Sequence, residues 1–125
     1  SSDLWTFRAD APIYTQLYEQ LTLAIVSGIY APGERLPAVR ELAVDAGVNP
    51  NTVQRALSEL ERCGLVHTQR TAGRFVTEDA KHIERERHAL AEERARSFLA
   101  AMEKLGYNRI QTVMLLEKLR GETET

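Results

Sequence analysis

Asn49 followed by Pro50 constrains this chain more tightly than any other pair of residues in it. Asparagine caps a helix by accepting from its first free N–H groups, and proline fits the first helical position, where a missing donor costs nothing. The pair predicts a helix that starts at Pro50 and runs to about Cys63, where Gly64 stops it. Just upstream, Ala38 to Ala46 reads as a short helix with Val39, Leu42, Ala43 and Ala46 inward, ended by Gly47 in the manner of a left-handed cap. Two short helices joined by a tight glycine-containing turn form the pattern of a helix-turn-helix. In the second helix Val53, Ala56, Leu57 and Leu60 follow the spacing i, i+3, i+4, i+7, while Asn51, Gln54, Arg55 and Ser58 repeat it on another side. One face packs and the other carries amide, guanidinium and hydroxyl groups, which match base edges and phosphates. The first acid after the cap is Glu59, so the tip of the helix holds nothing that would repel DNA.

The flanking segments complete a domain around this pair. Leu4 to Arg8 alternates bulky residues as a short extended arm that packs on the body or on a partner. Pro12 opens a helix with the stripe Tyr14, Leu17, Tyr18, Leu21, Ala24 and Ile25, ending at Gly28. Ala31-Pro32-Gly33-Glu34 is a turn and Arg35-Leu36-Pro37 an extended link. After the second short helix, Leu65 to Gln69 and Arg74 to Thr77 read as strands around Arg70-Thr71-Ala72-Gly73, a hairpin with a basic tip. The fold class is therefore mostly α with a small β-hairpin, a winged helix-turn-helix. The organisation is an N-terminal arm over residues 1–11, a winged domain over 12–78 and a helical tail over 79–125.

In the tail, Asp79 to Leu105 contains no proline or glycine and alternates charge, as one long helix does. Its apolar stripe is Leu90, Ala91, Ala95, Phe98, Leu99, Met102 and Leu105. Gly106 breaks it, and Asn108 with Gln111 three residues on is a capping box for a last helix offering Ile110, Val113, Met114, Leu116 and Leu119. Two helices with apolar faces and little to cover them are expected to pack on a second copy of the chain, making a homodimer.

The bulk composition narrows the function. At 125 residues and 43% apolar the chain holds one small domain and an appendage, which leaves little room for a deep catalytic pocket. The net charge of −2 is not that of a polycation, but its distribution is uneven. Residues 1–34 carry one base against four acids, 35–74 six against four, and 75–125 nine against ten. Binding through a few placed cations in the central segment, doubled in a dimer, fits this balance. The single Cys63 precludes an internal disulfide and suits a reducing compartment. No apolar run of about 18 residues and no signal segment is present, so a soluble cytoplasmic protein without a membrane partner is expected. The initial Ser1-Ser2 carries no functional reading.

Four stretches carry a family resemblance. They are Pro12-Ile13-Tyr14-x-Gln16-Leu17, Leu36-Pro37-x-x-Arg40-Glu41-Leu42-Ala43, Val48-Asn49-Pro50-Asn51-Thr52-Val53-x-Arg55-Ala56 and Gly64-Leu65-Val66. In these residues and their spacing, over about 12–77, the sequence resembles the GntR family of bacterial transcription regulators. The Asn-Pro-Asn-Thr-Val helix start and the two-helix tail look like the YtrA-type subfamily, whose members are dimers that often control transporter operons. The resemblance implies that Arg40 contacts phosphate or a guanine, that Asn51, Thr52 and Arg55 work in the major groove with Asn49 and Gln54 beside them, and that the wing near Arg70, Thr71, Gly73 and Arg74 approaches the minor groove. Two departures stand out. Many relatives carry arginine where Pro50 or Gln54 stands, and the usual wing tip has two glycines and a lysine where this chain has Thr71, Ala72 and a single Gly73.

Plainer roles compete for the same residues. Arg55 could pair with Glu59 at i+4, Arg40 could solvate its own helix, and Arg70 and Arg74 could serve solubility. Glu84 and His88 share a helix face, but the further ligands of a metal site are not evident, so no metal is expected. Cys63 lacks a resolving cysteine and reads as a packing residue. No cofactor is expected, although the tail stripe could line a pocket for an unidentified small-molecule effector. A winged helix also serves as a protein-docking module, which the acid-free reading face disfavours. No phosphate loop, activated nucleophile or carboxylate pair suggests an enzyme. The function expected is a sequence-specific repressor that binds a palindromic double-stranded DNA operator as a homodimer.

Overall fold

The computed structural model describes residues 5–123, so the part of the arm before Trp5 and the last two residues lie outside the described chain. Seven elements follow in order. They are α1 (Ile13–Val26), α2 (Val39–Ala46), α3 (Pro50–Arg62), β1 (Val66–Gln69), β2 (Gly73–Val76), α4 (Ala80–Lys104) and α5 (Arg109–Thr123). The chain divides into two compact units, the first ending at Arg87 and the second beginning at His88.

The first unit is built on α3. Asn49 is extended, its side-chain oxygen accepts from the Asn51 N–H at 2.7 Å, and Pro50 follows at the first helical position. The inward stripe Val53, Ala56, Leu57 and Leu60 is fully buried, and so are Leu17, Leu21 and Ile25 of α1 and Leu42 of α2. Burying each leucine contributes roughly 1.5–3 kcal/mol, so these few side chains carry most of what holds the three helices together. Gly47 ends α2 with φ +69°, in the left-handed region, and the Val48 N–H returns to the Ala43 carbonyl at 3.0 Å. A side chain there would strain the turn that sets α2 and α3 against each other.

β1 and β2 pair antiparallel with Val66 opposite Val76 and Gln69 opposite Gly73, leaving Arg70, Thr71 and Ala72 as the turn. The link before α2 adds a third edge to this wing. The Leu36 N–H donates to the Arg74 carbonyl at 2.8 Å and the Val76 N–H donates to the Glu34 carbonyl at 2.9 Å. The wing is thus tied to the body by backbone bonds along its β2 edge, and Leu36, Leu65, Val66 and Val76 close the core beneath it.

The described part of the arm folds back on the same unit. Trp5 is buried and its indole N–H donates to an Asp45 carboxylate oxygen at 2.9 Å. Gln16, buried in α1, accepts from the Arg8 N–H at 2.7 Å and donates to the Arg8 and Ala11 carbonyls, so both ends of its amide are satisfied. The alternative placement of the arm on a partner is not needed to cover Trp5.

The first two turns of α4 also belong to this unit. Ile83 is buried, the His82 Nε2–H donates to the Cys63 carbonyl at the end of α3 at 2.8 Å, and Arg87 Nε donates to the Val26 carbonyl at the end of α1 at 2.8 Å. Cationic or N–H-bearing side chains at helix C-termini complement the carbonyl end of the helix dipole. Cys63 is half-buried, with its thiol donating to the Leu60 carbonyl. Burial, with Cys63 alongside, pushes the neighbouring Tyr18 hydroxyl up to about 12, so it stays protonated and packs as a neutral ring.

In the second unit Asn108 and Gln111 exchange side-chain bonds with each other's backbone N–H at 2.8 and 2.9 Å, forming the capping box of α5. Thr112 is buried and Leu90, Leu99, Met102 and Leu115 are half-buried. Most of the apolar stripe is not covered by the chain itself. Leu105 is 73% exposed, Ile110 72% and Met114 67%, and Phe98, Val113, Leu116 and Leu119 are exposed with them, as is Ala95. The covered residues of α5, Thr112 and Leu115, are not those of its sequence stripe. No helix among the described residues is long and apolar enough to cross a membrane.

Candidate nucleic-acid interface

The leading end of α3 presents Asn49, Asn51, Gln54, Arg55 and Ser58 exposed, with Thr52 half-buried behind them. Helix geometry accounts for this, because the buried stripe occupies the opposite side and leaves these positions nowhere to pack. Arg40 is exposed on α2, and Arg70 and Thr71 are exposed at the wing turn. The structure therefore makes available nearly every residue singled out for DNA contact.

Thr52, Gly73 and Arg74 are half-buried, and of these Arg74 is held away from the wing tip by a partner of its own. Its Nε donates to Glu61 at 2.7 Å, with side-chain exposures of 21% and 32%, so it ties β2 to α3 and does not reach the wing tip. That bond holds the Glu61 carboxyl below its ordinary value of 4.5. A carboxyl lowered on folding stabilises the protein above its unfolded value, and the contribution disappears as pH falls through the lower folded value. The difference in urea midpoint between wild type and Glu61→Gln is expected to narrow steadily from about pH 6 to about pH 3, starting from a gap worth about 1 kcal/mol or less. A gap unchanged across that range would show that the pair adds nothing.

The acids of α3 are taken up locally. Glu59 accepts from Arg62 at 2.8 and 3.2 Å, which holds its carboxyl below the ordinary range, and Glu61 is taken by Arg74. Asp45 is lowered in the same way by its bond from Trp5. Local pairing keeps negative charge from dominating a surface that holds Arg40, Arg55 and Arg70.

Two residues of this surface are not evident from sequence patterning. Tyr14, which the α1 stripe assigns to the core, is half-buried and stacks beneath the Arg55 guanidinium, whose central carbon lies 3.6 Å from the ring centroid. The i+4 pair of Arg55 with Glu59 does not form, since Glu59 bonds Arg62. Arg35, read as part of a link, lays its side chain over Gly73, where an added Cβ would come within 2.9 Å of its Nε. Gly73 has φ +111°, so the backbone favours glycine at the end of the wing turn, and a side chain there would also displace the Arg35 guanidinium. Glu84, considered with His88 as a metal pair, is bonded to Arg87, while His88 Nε2 lies 3.9 Å from a Glu92 carboxylate oxygen.

The pattern described as bacterial regulatory proteins, gntR family, matches residues 13–76, from the start of α1 to the end of β2. The HTH-type transcriptional regulator YhcF of Bacillus subtilis (strain 168) is 37% identical over 94% of this chain and 95% of its own length. The HTH-type transcriptional repressor YtrA of the same organism is 46% identical over 59% of this chain and 57% of its own. Among solved structures, a GntR family transcriptional regulator from Listeria monocytogenes superposes with a TM-score of 0.83 at 38% identity, covering 90% of this chain and 98% of that one. The DNA-binding domain of AraR, solved in complex with operator ORX1, superposes with a TM-score of 0.54 at 27% identity over 58% of this chain and 93% of that one.

Proposed function

Because the chain belongs to the GntR family of bacterial regulatory proteins, and is on that ground a DNA-binding transcriptional regulator and not an enzyme, we propose that it acts as a homodimeric repressor of a palindromic operator. The observation that carries this reading is the exposed face of α3, where Asn51, Gln54 and Arg55 point outward and the acids behind them are already paired. Asn51, Gln54 and Arg55 read base edges in the major groove; Asn49, Thr52 and Arg40 hold phosphates; Arg70, Thr71 and Gly73 bring the wing to the minor groove, with Arg74 fixing the wing to α3.

Repression is supported by the likeness to YtrA, which is itself a repressor, and operator binding by the likeness to AraR. The YtrA-type resemblance points to a transporter operon and a cytoplasmic site of action. Dimerisation is supported by the exposed residues Phe98, Leu105, Ile110, Val113, Met114 and Leu119 of the second unit, large apolar side chains that the unit itself leaves uncovered. Two copies joined there present two α3 helices to successive major grooves and exclude polymerase sterically. A small-molecule effector would act by favouring one of two arrangements of the paired winged units.

Selection from randomised duplex DNA followed by a salt series tests the proposal. A two-fold symmetric site is expected, with log affinity falling steeply in log salt by about 0.9 for each phosphate neutralised. Weak binding without sequence preference, or a flat salt response, would count against it.

A further inference from the structure

The motif Pro12-Ile13-Tyr14 lies on α1, away from the reading helix in sequence, yet its tyrosine touches that helix at the one exposed arginine of its reading face. We infer that Tyr14 is a positioning residue for Arg55: its ring fixes the guanidinium in the orientation in which it meets DNA. This rests on the proposed reading of DNA by α3.

The chemistry of stacking supports the assignment. A guanidinium lying on an aromatic ring offers its flat face to the ring, while its five N–H donors stay in the plane at the edge. At 3.6 Å the stack is close, and Tyr14 is half-buried in α1 and so has a fixed ring to offer. The edge is also unspent. Glu59, the carboxylate one turn along, is held by Arg62 at 2.8 Å, and among the described residues Arg55 donates to no carboxylate or carbonyl. A fork of parallel donors matches a pair of acceptors, either the O6 and N7 of guanine or two phosphate oxygens.

The energetic benefit lies in what need not be ordered on binding. Immobilising a free arginine at an interface lowers affinity by on the order of two- to tenfold, and the stack removes that loss by ordering it beforehand. Since Tyr14 belongs to α1 and Arg55 to α3, the presentation of this side chain is set by the packing of the two helices.

Affinity for the site that wild type selects is measured for Tyr14→Phe, for the same position carrying mono-, di- and trifluorinated phenylalanine, and for Tyr14→Leu, each with Arg55 present and in Arg55→Ala. Tyr14→Phe is expected within about twofold of wild type, the fluorinated rings to weaken binding stepwise as their negative face is depleted, and Tyr14→Leu to lose about two- to tenfold. In Arg55→Ala all of these differences are expected to vanish. The fluorinated series keeps the ring's shape, so a role in folding alone would leave affinity flat across it. Loss of preference at one base pair of each half-site in Arg55→Ala identifies guanine as the acceptor, and a uniform loss with a shallower salt slope identifies phosphate. Wild-type affinity in Tyr14→Leu, or an equal loss with Arg55 removed, would overturn the positioning role. So would wild-type affinity in Arg55→Ala, with DNA reading left standing; a wild type that selects no site would overturn both.

Discussion

Replacing Ile110 and Met114 together by aspartate is expected to leave a monomer whose affinity for the full operator is lower by about 10²- to 10⁴-fold. The two residues stand four apart on α5 and are 72% and 67% exposed, so the chain itself buries neither. Carboxylates there cost the isolated chain little, whereas in an apolar interface each would be desolvated without a partner. Without the interface, binding of the second half-site is no longer intramolecular, and the effective concentration it supplied is lost. Sedimentation velocity and operator titration read the two consequences separately. Half-site affinity should remain, because the first unit has its own core in Leu17, Leu21, Leu57 and Leu60. A double variant that sediments as a dimer, or binds the operator as tightly as wild type, would place the interface elsewhere.

The second large effect is on stability. Leu57→Ala removes a fully buried side chain from the inner face of α3 and is expected to destabilise the first unit by about 2–5 kcal/mol. For a unit of this size that lowers the melting temperature by on the order of 10–40 °C, and the loss is a large part of the stability such domains possess. Ser58→Ala, on the exposed side of the same helix, should change stability by about 0.5 kcal/mol or less. Thermal and urea unfolding of the pair check this directly. Similar small losses in both variants would mean that α3 is not held by its apolar stripe.

These two effects mark what local sequence specifies. The start of α3 was legible because its cap is a local event, decided by Asn49 and Pro50 and confirmed by the 2.7 Å bond to the Asn51 N–H. The core leucines were legible because helical period assigns them to one side. α5 resists the same treatment. Its apolar residues at 110, 113, 114, 115, 116 and 119 run most of the way round the helix, so periodicity could not single out Leu115 and Thr112 as the covered positions. The position of Arg74 was illegible for another reason. Side chains alternate along a strand, and which side of the hairpin turns to α3 depends on the link that pairs Leu36 with Arg74, a contact between distant segments.

Long-range partners account for the rest. Tyr14 fits an apolar stripe whether or not an arginine lies over it, and nothing near Arg55 distinguishes a stacked guanidinium from one paired with Glu59. Trp5 likewise could not be matched to Asp45 from sequence, and Arg35 acquires meaning only once Gly73 lies beneath it. Local rules thus delivered the elements and most of the exposed candidates, while the connections that orient those candidates came from tertiary packing.

Guanine N7 footprinting with dimethyl sulfate on both strands of the selected operator tests the central claim most directly. If α3 reads the major groove in a homodimer, N7 groups are expected to be protected in two clusters about one helical turn apart, related by two-fold symmetry. Bound DNA whose N7 groups react as in naked duplex, or protection confined to a single cluster, would contradict the reading by paired α3 helices.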